Sequence, residues 1–208
     1  MELPNDLHDH GCEWQALESL DERAGAGWAE GPMAAPQRWL INSIVNESFT
    51  HTRNSLSEKI CNEMAALLQD RLADSIDLMM QAKQAHWNVK RSNFTALHEL
   101  FDKVYADTGK YMNVMAERIV QFGGQADGTV REAAVKSSLP EYSLEITSGG
   151  KHLAELAHAL AFYGELIRQG IDHANKLGDA DTPYIFTEVS RGLDANLWFV
   201  EAHEQSEP

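Results

Sequence analysis

The chain has 208 residues and a formal net charge of −15, from 17 basic and 32 acidic side chains. A hydrophobic content of 43% excludes a disordered chain, and the length suits one sizeable domain with an extension. No apolar run approaches the roughly 20 residues of a membrane span, and neither a secretory segment nor a disulfide framework is apparent, so we expect a cytoplasmic protein. The negative charge disfavours nucleic acid as a partner, because affinity for phosphates needs a basic surface.

Residues 1–48 are predicted to form an irregular acidic extension, and residues 49–208 a helical domain. Glycine and proline interrupt any periodic pattern in the extension, which holds nine acidic and two basic side chains. Near its start, His8, His10 and Cys12 form a cluster whose imidazole and thiolate donors suit zinc or copper. The alternative is a solvated tail, because ordering a flexible segment costs entropy and three ligands leave the site incomplete.

The first two helices follow the extension. Ser55 and Glu58 have the spacing of a capping box, after which apolar residues recur every three or four positions to about Val89. The second helix is predicted from Asn93, a favourable N-terminal cap, to about Phe122, where two consecutive glycines end it.

The second half of the chain is also helical. A short helical run is expected near 129–136, a third long helix from about Ser148 to Gly178, and a fourth from about Thr182 to Glu204. No segment has the pattern of a strand. Four long helices with a long connection between the second and third predict an all-α, ferritin-like four-helix bundle, with a short helix in that connection.

One face of the second helix carries potential metal ligands. His98, Asp102, Asn113 and Glu117 lie within a wedge of about 100° on this helix, and His86 lies near the end of the first. Imidazole, carboxylate and amide donors suit iron, zinc or manganese. The helix rises about 22 Å from residue 98 to residue 113, so a shared site would have to form between two chains. A solvated acidic helix face is the alternative interpretation.

Several blocks resemble the Dps family, the DNA-binding proteins from starved cells, which are ferritin-like mini-cages. The first block is KQAHWNV at 83–89, and the resemblance covers roughly residues 50–203. The 12-residue separation of His86 and His98 falls within matching blocks. The other matching blocks are 93–102, 115–118, 121–124, 128–130, 137–142, 178–182 and 197–201.

The resemblance implies a hollow dodecamer with ferroxidase centres at its two-fold interfaces. Fe(II) would be oxidised there, with hydrogen peroxide preferred over oxygen, and the ferric product stored in an acidic cavity. The family's ligands correspond to His86, His98 and Asp102 of one subunit, and to position 113 and Glu117 of its partner.

Three further residues acquire roles from the resemblance. Trp87 would lie close to the iron and intercept radicals, or else serve as a large interface aromatic. Asp179 and Asp181 would line acidic pores that admit Fe(II), or else favour the start of the fourth helix electrostatically.

Asn113 departs from the family, which has an aspartate at this position. A neutral amide should hold a hard cation less well, so the alternative function is a cage with an impaired centre that acts as a passive metal store or structural shell. DNA compaction is the least favoured function, because no lysine precedes Lys59 and the C-terminal segment is acidic.

Overall fold

The computed structural model describes residues 49–90, 93–146 and 148–205, so the extension predicted at 1–48 lies outside the described residues. The described residues contain no strand, which confirms the all-α prediction. None of their helices combines the length and hydropathy needed to cross a membrane. The helices are α1 (Glu58–Asn88), α2 (Phe94–Gln121), α3 (Val130–Lys136), α4 (Gly149–Leu177) and α5 (Thr182–Glu204).

The four long helices form two pairs, α1 with α2 and α4 with α5, each joined by a short connection. At one end of the bundle, Gly149 at the start of α4 lies against Leu97 near the start of α2. At the other end, Asp179 beyond α4 is bonded to Arg118 near the end of α2. Helices α2 and α4 therefore run in the same direction. The connection at 122–148, which contains α3, has to return along the length of the bundle.

The N-terminal cap of α1 differs from the one predicted at Ser55. The Asn54 side-chain oxygen accepts a hydrogen bond from the backbone N–H of Leu56 at 3.0 Å, which holds this segment in a turn. The helix begins only after that turn. Ser57 is the observed cap, and its hydroxyl oxygen accepts from the backbone N–H of Ile60 at 3.4 Å.

The bundle interior is apolar with a small polar centre. Tyr163 is fully buried on α4, and its hydroxyl lies 2.6 Å from the Ser75 hydroxyl and donates to the carbonyl of Arg71 at 2.9 Å. Burial raises the pKa of Tyr163, so its hydroxyl stays protonated as a donor. Fully buried apolar side chains from all four long helices form the rest of the interior, among them Met64, Leu68, Leu72, Phe101, Met115, Ile119, Leu156, Ile167 and Phe186.

Polar side chains of α1 fix the long connection to the bundle. The Asp74 carboxylate is buried and accepts from the backbone N–H of Ser138 at 2.7 Å. Two turns further on, the Gln81 amide donates to the carbonyl of Pro140 at 3.0 Å. These bonds satisfy backbone groups that a loop packed against the bundle would otherwise leave without partners.

The end of α2 requires glycine. Gly123 has φ +88°, in the left-handed region, and its carbonyl accepts from the backbone N–H of Thr50 at 2.8 Å. A Cβ at this position would collide with the Thr50 carbonyl oxygen. The segment before α1 therefore packs directly onto the end of α2. Gly178 ends α4 with a similar φ of +78°, but a Cβ added there would meet no atom within 4 Å.

We expect Gly123→Ala to destabilise the protein by roughly 2–4 kcal/mol, because it adds a backbone collision to left-handed strain. Gly178→Ala is the matched control and should cost only about 1 kcal/mol, the strain alone. Urea unfolding of both variants measures the difference. Equal losses would show that the contact with Thr50 contributes nothing.

Candidate metal centre

The reversal between α1 and α2 brings two histidines into direct contact. Asn93, at the predicted cap position of α2, has φ +61° and makes no side-chain capping bond, so its role is to turn the chain. The imidazole rings of His86 and His98 then stack, with centroids 3.6 Å apart and planes inclined by 25°. This stacking places the two side chains side by side at one end of the helix pair.

Reciprocal hydrogen bonds fix both rings. Nδ1 of His86 lies 2.9 Å from the carbonyl oxygen of His98, and Nδ1 of His98 lies 3.0 Å from the carbonyl oxygen of His86. Because a carbonyl only accepts, each Nδ1 must carry the proton, which leaves a lone pair on each Nε2 when the ring is neutral. A ring held through one nitrogen by a carbonyl, with a lone pair on the other nitrogen, is the usual arrangement of a metal-binding histidine.

Asp102 lies one turn beyond His98 on α2 and joins the two helices. Its Oδ1 is 3.9 Å from Nδ1 of His86 and forms an ion pair with the ammonium of Lys83. The hydrogen bond from Lys83 holds the pKa of Asp102 below its ordinary value. The carboxylate is therefore ionised at neutral pH and about half exposed.

Lys83 lies next to these residues, and the sequence alone does not reveal its role. It lies three residues before His86 on α1, and its ammonium is 4.4 Å from the centroid of the Tyr105 ring. The signal in the sequence is this i,i+3 spacing, which places both side chains on one face of the helix. The spacing alone does not show that the ammonium reaches Asp102 across the helix pair.

Asn113 and Glu117 form a second, separate group further along α2. The Asn113 amide donates to Oε1 of Glu117 at 2.8 Å, at the surface of the helix. Glu117 borders a shallow, mainly apolar depression with Val120 and Ala126. This group therefore presents one carboxylate to an exposed apolar surface.

A single chain does not close a metal site from these residues. Across the described ranges, no group of three histidine, cysteine, aspartate or glutamate side chains is arranged to hold a metal ion. Each chain presents two incomplete sets: His86, His98 and Asp102 at one point, and Asn113 with Glu117 at another. That the two sets complete each other between chains stays a prediction. His8, His10 and Cys12 lie outside the described residues.

Asp179 and Asp181, the predicted pore residues, have different environments. Asp179 is only 2% exposed and accepts from the backbone N–H groups of Asp181 and Thr182, so it holds the start of α5. The same carboxylate pairs with Arg118, at 3.1 Å, which is itself buried. Asp181 is exposed and lies 3.6 Å from Arg118. The Asp179 carboxylate is thus engaged within the chain, and a pore role for either residue stays a prediction.

We expect Asp179→Ala to lower the free energy of unfolding by about 3 kcal/mol or more, because it removes the buried partner of Arg118 and leaves only the exposed Asp181 beside this charge. Asp181→Ala removes an exposed carboxylate and should cost less than about 1 kcal/mol. Chemical denaturation of both variants provides the measurement. Equal losses would contradict the structural role given to Asp179.

Comparisons with known proteins agree with this arrangement of helices. A family model described as a ferritin-like domain matches residues 65–206. A DNA protection during starvation protein of Agrobacterium fabrum is 38% identical over 157 residues, which cover 75% of this chain and 97% of that protein. A protein of the same name from Mycolicibacterium smegmatis is 31% identical over 153 residues, covering 73% of this chain and 82% of its own length.

Solved structures show the same fold. The tetragonal form of Mycobacterium smegmatis Dps superposes with a TM-score of 0.70 at 30% identity, covering 74% of this chain and 93% of that one. DpsC from Streptomyces coelicolor gives a TM-score of 0.74 at 24% identity. The match covers 77% of this chain and 94% of that one, and it supports the fold alone. The family model, the relatives and the structures together establish that this chain belongs to the Dps family of ferritin-like proteins.

Proposed function

We propose that this chain assembles into a hollow homo-oligomer that oxidises Fe(II) with hydrogen peroxide and stores the ferric product, protecting the cytoplasm against oxidative damage. A dodecamer is the assembly that the family resemblance implies. The observation that most supports the proposal is the locked histidine pair, together with an ionised Asp102 whose Oδ1 lies 3.9 Å from Nδ1 of His86. Imidazole nitrogens with carboxylate oxygens form a donor set that suits Fe(II).

Exposed apolar residues support a second copy as the source of the missing ligands. Trp87 is 62% exposed and Phe94 is 46% exposed beside the histidine pair. Val120 is 58% exposed beside Glu117. Apolar side chains around two incomplete ligand sets are typical of a surface that a partner covers. In a two-fold contact the histidine set of one chain would meet Glu117 of the other, and the symmetry would generate two equal centres.

The proposed chemistry uses Fe(II) as the substrate. His86, His98 and Asp102 would bind it from one subunit and Glu117 from the partner, while the apolar rim limits access of water. Two Fe(II) each lose one electron, and one hydrogen peroxide takes up two electrons and two protons to give two water molecules. Delivery of both electrons avoids release of a hydroxyl radical. Trp87 is adjacent to His86 in the sequence and would donate an electron to any radical that forms when this two-electron reduction is incomplete.

The charge of the chain suits a cation store. Twelve chains together carry a formal charge of about −180, which attracts Fe(II) and favours retention of ferric ions. Asp181 is exposed before α5 and is the better placed of the two candidate pore residues. Zinc binding by His8, His10 and Cys12 remains a separate proposal about the extension.

A cage with an impaired oxidation centre is the second candidate, and Asn113 is the observation that favours it. Its amide is neutral and already donates to Glu117, so it contributes no charge to bind a cation. An Asn113→Asp variant that oxidises iron much faster than the wild-type protein would identify the wild type as such a passive store or structural shell.

We expect Glu117→Ala to slow peroxide-dependent Fe(II) oxidation at least about tenfold, because it removes the partner's carboxylate from each proposed centre. Fe(II) is added anaerobically to the assembled protein, then peroxide, and ferric absorbance is followed by stopped flow. Glu165→Ala is the control, since Glu165 is an exposed carboxylate on α4 bonded to Gln169 at an i,i+4 spacing. Equal rates for the wild type and Glu117→Ala would disprove the ferroxidase proposal.

We expect no DNA binding at neutral pH, because the acidic chain offers no basic tail before Lys59 and each subunit repels phosphates. A gel-shift titration with linear duplex DNA at low ionic strength is the most permissive measurement. A clear shift under these conditions would overturn the charge argument and revive DNA compaction as a function.

A further inference from the structure

A further histidine lies next to the reversal between α1 and α2 and belongs to neither ligand set. His152, near the start of α4, is only 1% exposed. Its ring lies edge-on to the Phe101 ring of α2, with centroids 6.4 Å apart. The backbone carbonyl of Asn88, the last residue of α1, interacts with the same imidazole. His152 therefore contacts both helices of the proposed centre, because Phe101 precedes Asp102 and Asn88 follows His86 by two positions.

Tyr142, in the long connection, shares a hydrogen bond with this histidine. Its hydroxyl lies 2.6 Å from Nδ1 of His152, and both side chains are buried. Burial raises the pKa of Tyr142 and lowers the pKa of His152, so at neutral pH the phenol is protonated and the imidazole is neutral. The hydroxyl can then donate to the lone pair of Nδ1, with the ring proton on Nε2.

The other ring nitrogen is placed to stabilise a charged imidazole. Nε2 of His152 is buried, and its alignment with the Asn88 carbonyl falls short of a regular hydrogen bond. The carbonyl nevertheless favours the charged form of the ring. A proton that arrives on Nδ1 would therefore leave the second N–H beside a backbone acceptor.

The contact with a base distinguishes Tyr142 from the other four tyrosines, all of which lie in the described part of the chain. Tyr163 is fully buried, but its hydroxyl donates to a backbone carbonyl, which does not take up a proton at neutral pH. Tyr105 lies 4.4 Å from a lysine ammonium, whose charge opposes loss of an electron from the ring. Tyr111 and Tyr184 make no side-chain hydrogen bond to any described residue.

A buried tyrosine bonded to a neutral imidazole suits one-electron oxidation. Loss of an electron makes the phenol hydroxyl strongly acidic, so a base at hydrogen-bond distance lowers the barrier to the step. The proton moves only from the hydroxyl of Tyr142 to Nδ1 of His152. Exclusion of water then protects the product from side reactions.

We infer that Tyr142 and His152 form a proton-coupled radical site, which stores one oxidising equivalent generated at the proposed centre. The inference rests on the proposed function, because Fe(II) and peroxide supply the oxidant. When peroxide meets a single Fe(II), it takes one electron, and its O–O bond breaks to give hydroxide and a hydroxyl radical. One electron from the protein reduces that radical to a second hydroxide. If Trp87 gives this electron first, Tyr142 restores it.

The protein supplies the electron and a proton from the same hydroxyl. The O–H bond of Tyr142 breaks, its electron passes to the oxidant, and its proton passes to Nδ1 of His152. A neutral tyrosyl radical and an imidazolium remain. A second Fe(II) then gives one electron to the tyrosyl radical, and His152 returns the proton. The sum is two Fe(II) and one peroxide converted into two Fe(III) and two hydroxide ions.

Freeze-quench electron paramagnetic resonance tests the inference. The assembled full-length protein receives less than one Fe(II) per chain under anaerobic conditions and is then mixed with excess peroxide. We expect an organic radical whose spectrum changes when the tyrosine rings are deuterated, and whose tyrosyl component is lost in Tyr142→Phe. His152→Gln keeps an acceptor for the hydroxyl but cannot take the proton, so the tyrosyl yield should fall at least about tenfold.

Two phenylalanine variants serve as controls. Tyr163→Phe removes a buried hydroxyl that is not bonded to a base, and Tyr184→Phe removes the hydroxyl of a residue that is 77% exposed. Both should retain the wild-type tyrosyl yield. Anaerobic addition of more Fe(II) to the wild type should remove the tyrosyl signal and form one ferric ion for each radical lost. A hydrogen bond with a structural role alone would change stability and leave the identity of the radical unaltered.

The outcomes separate the two proposals. A radical that is insensitive to the tyrosine label, or a tyrosyl yield that Tyr142→Phe leaves unchanged, would overturn the inference. If Tyr142→Phe fails to assemble, an unchanged yield in His152→Gln would overturn it. Ferric absorbance is followed on the same samples. A wild type that oxidises Fe(II) faster than Glu117→Ala but forms no tyrosyl radical would overturn this inference alone. A wild type no faster than Glu117→Ala would overturn both proposals.

Discussion

The tight reversal between α1 and α2 is the constraint on which the site depends. Within a few residues the chain ends one long helix, turns through a left-handed Asn93 and starts another, and this turn places His86 and His98 within reach of each other's carbonyl groups. Each histidine satisfies a backbone acceptor at the end of the helix pair, so the bonds serve both the fold and the ligand geometry. The imidazoles are thereby positioned without a second layer of side chains.

Helix length determines where the rest of the site must come from. Helix α2 is a continuous rod of 28 residues, and its ligand-bearing face carries one group near its start and another near its end. A straight helix cannot fold back to join them, so the two groups on α2 of one chain cannot close around the same ion. In the proposed function, this placement on the outer face makes the chemistry conditional on assembly.

The periodic pattern of the sequence predicts most of the fold, because burial of an apolar stripe leaves a regular spacing. Glycines in the sequence also predict where two helices end. Gly123 follows α2 and Gly178 follows α4, and both have positive φ. The predicted start of α1 at Ser55 was wrong. The cause is a local hydrogen bond from Leu56 to the Asn54 side chain, which competes with the helix and leaves no periodic signal.

The candidate site was only partly predictable. Spacing shows which residues share a face, and the family resemblance points to the ligands, but neither shows what a side chain contacts across the bundle. The ion pair of Lys83 with Asp102 depends on the register of α1 against α2. The buried environment of Asp179 depends on Arg118, which lies 61 positions earlier in the chain. Both are long-range contacts, and a single sequence carries no direct record of them.

The buried pair of Arg118 with Asp179 has a consequence for Glu117, the residue immediately before Arg118. The arginine extends towards the start of α5, where its partner is held by backbone N–H groups, and its guanidinium also lies 4.3 Å from the Phe122 ring centroid. This turn of α2 therefore cannot rotate about the helix axis without breaking a desolvated ion pair. Glu117 is preorganised by an anchor on its own helix, so the cation binding proposed for it would require little loss of backbone entropy.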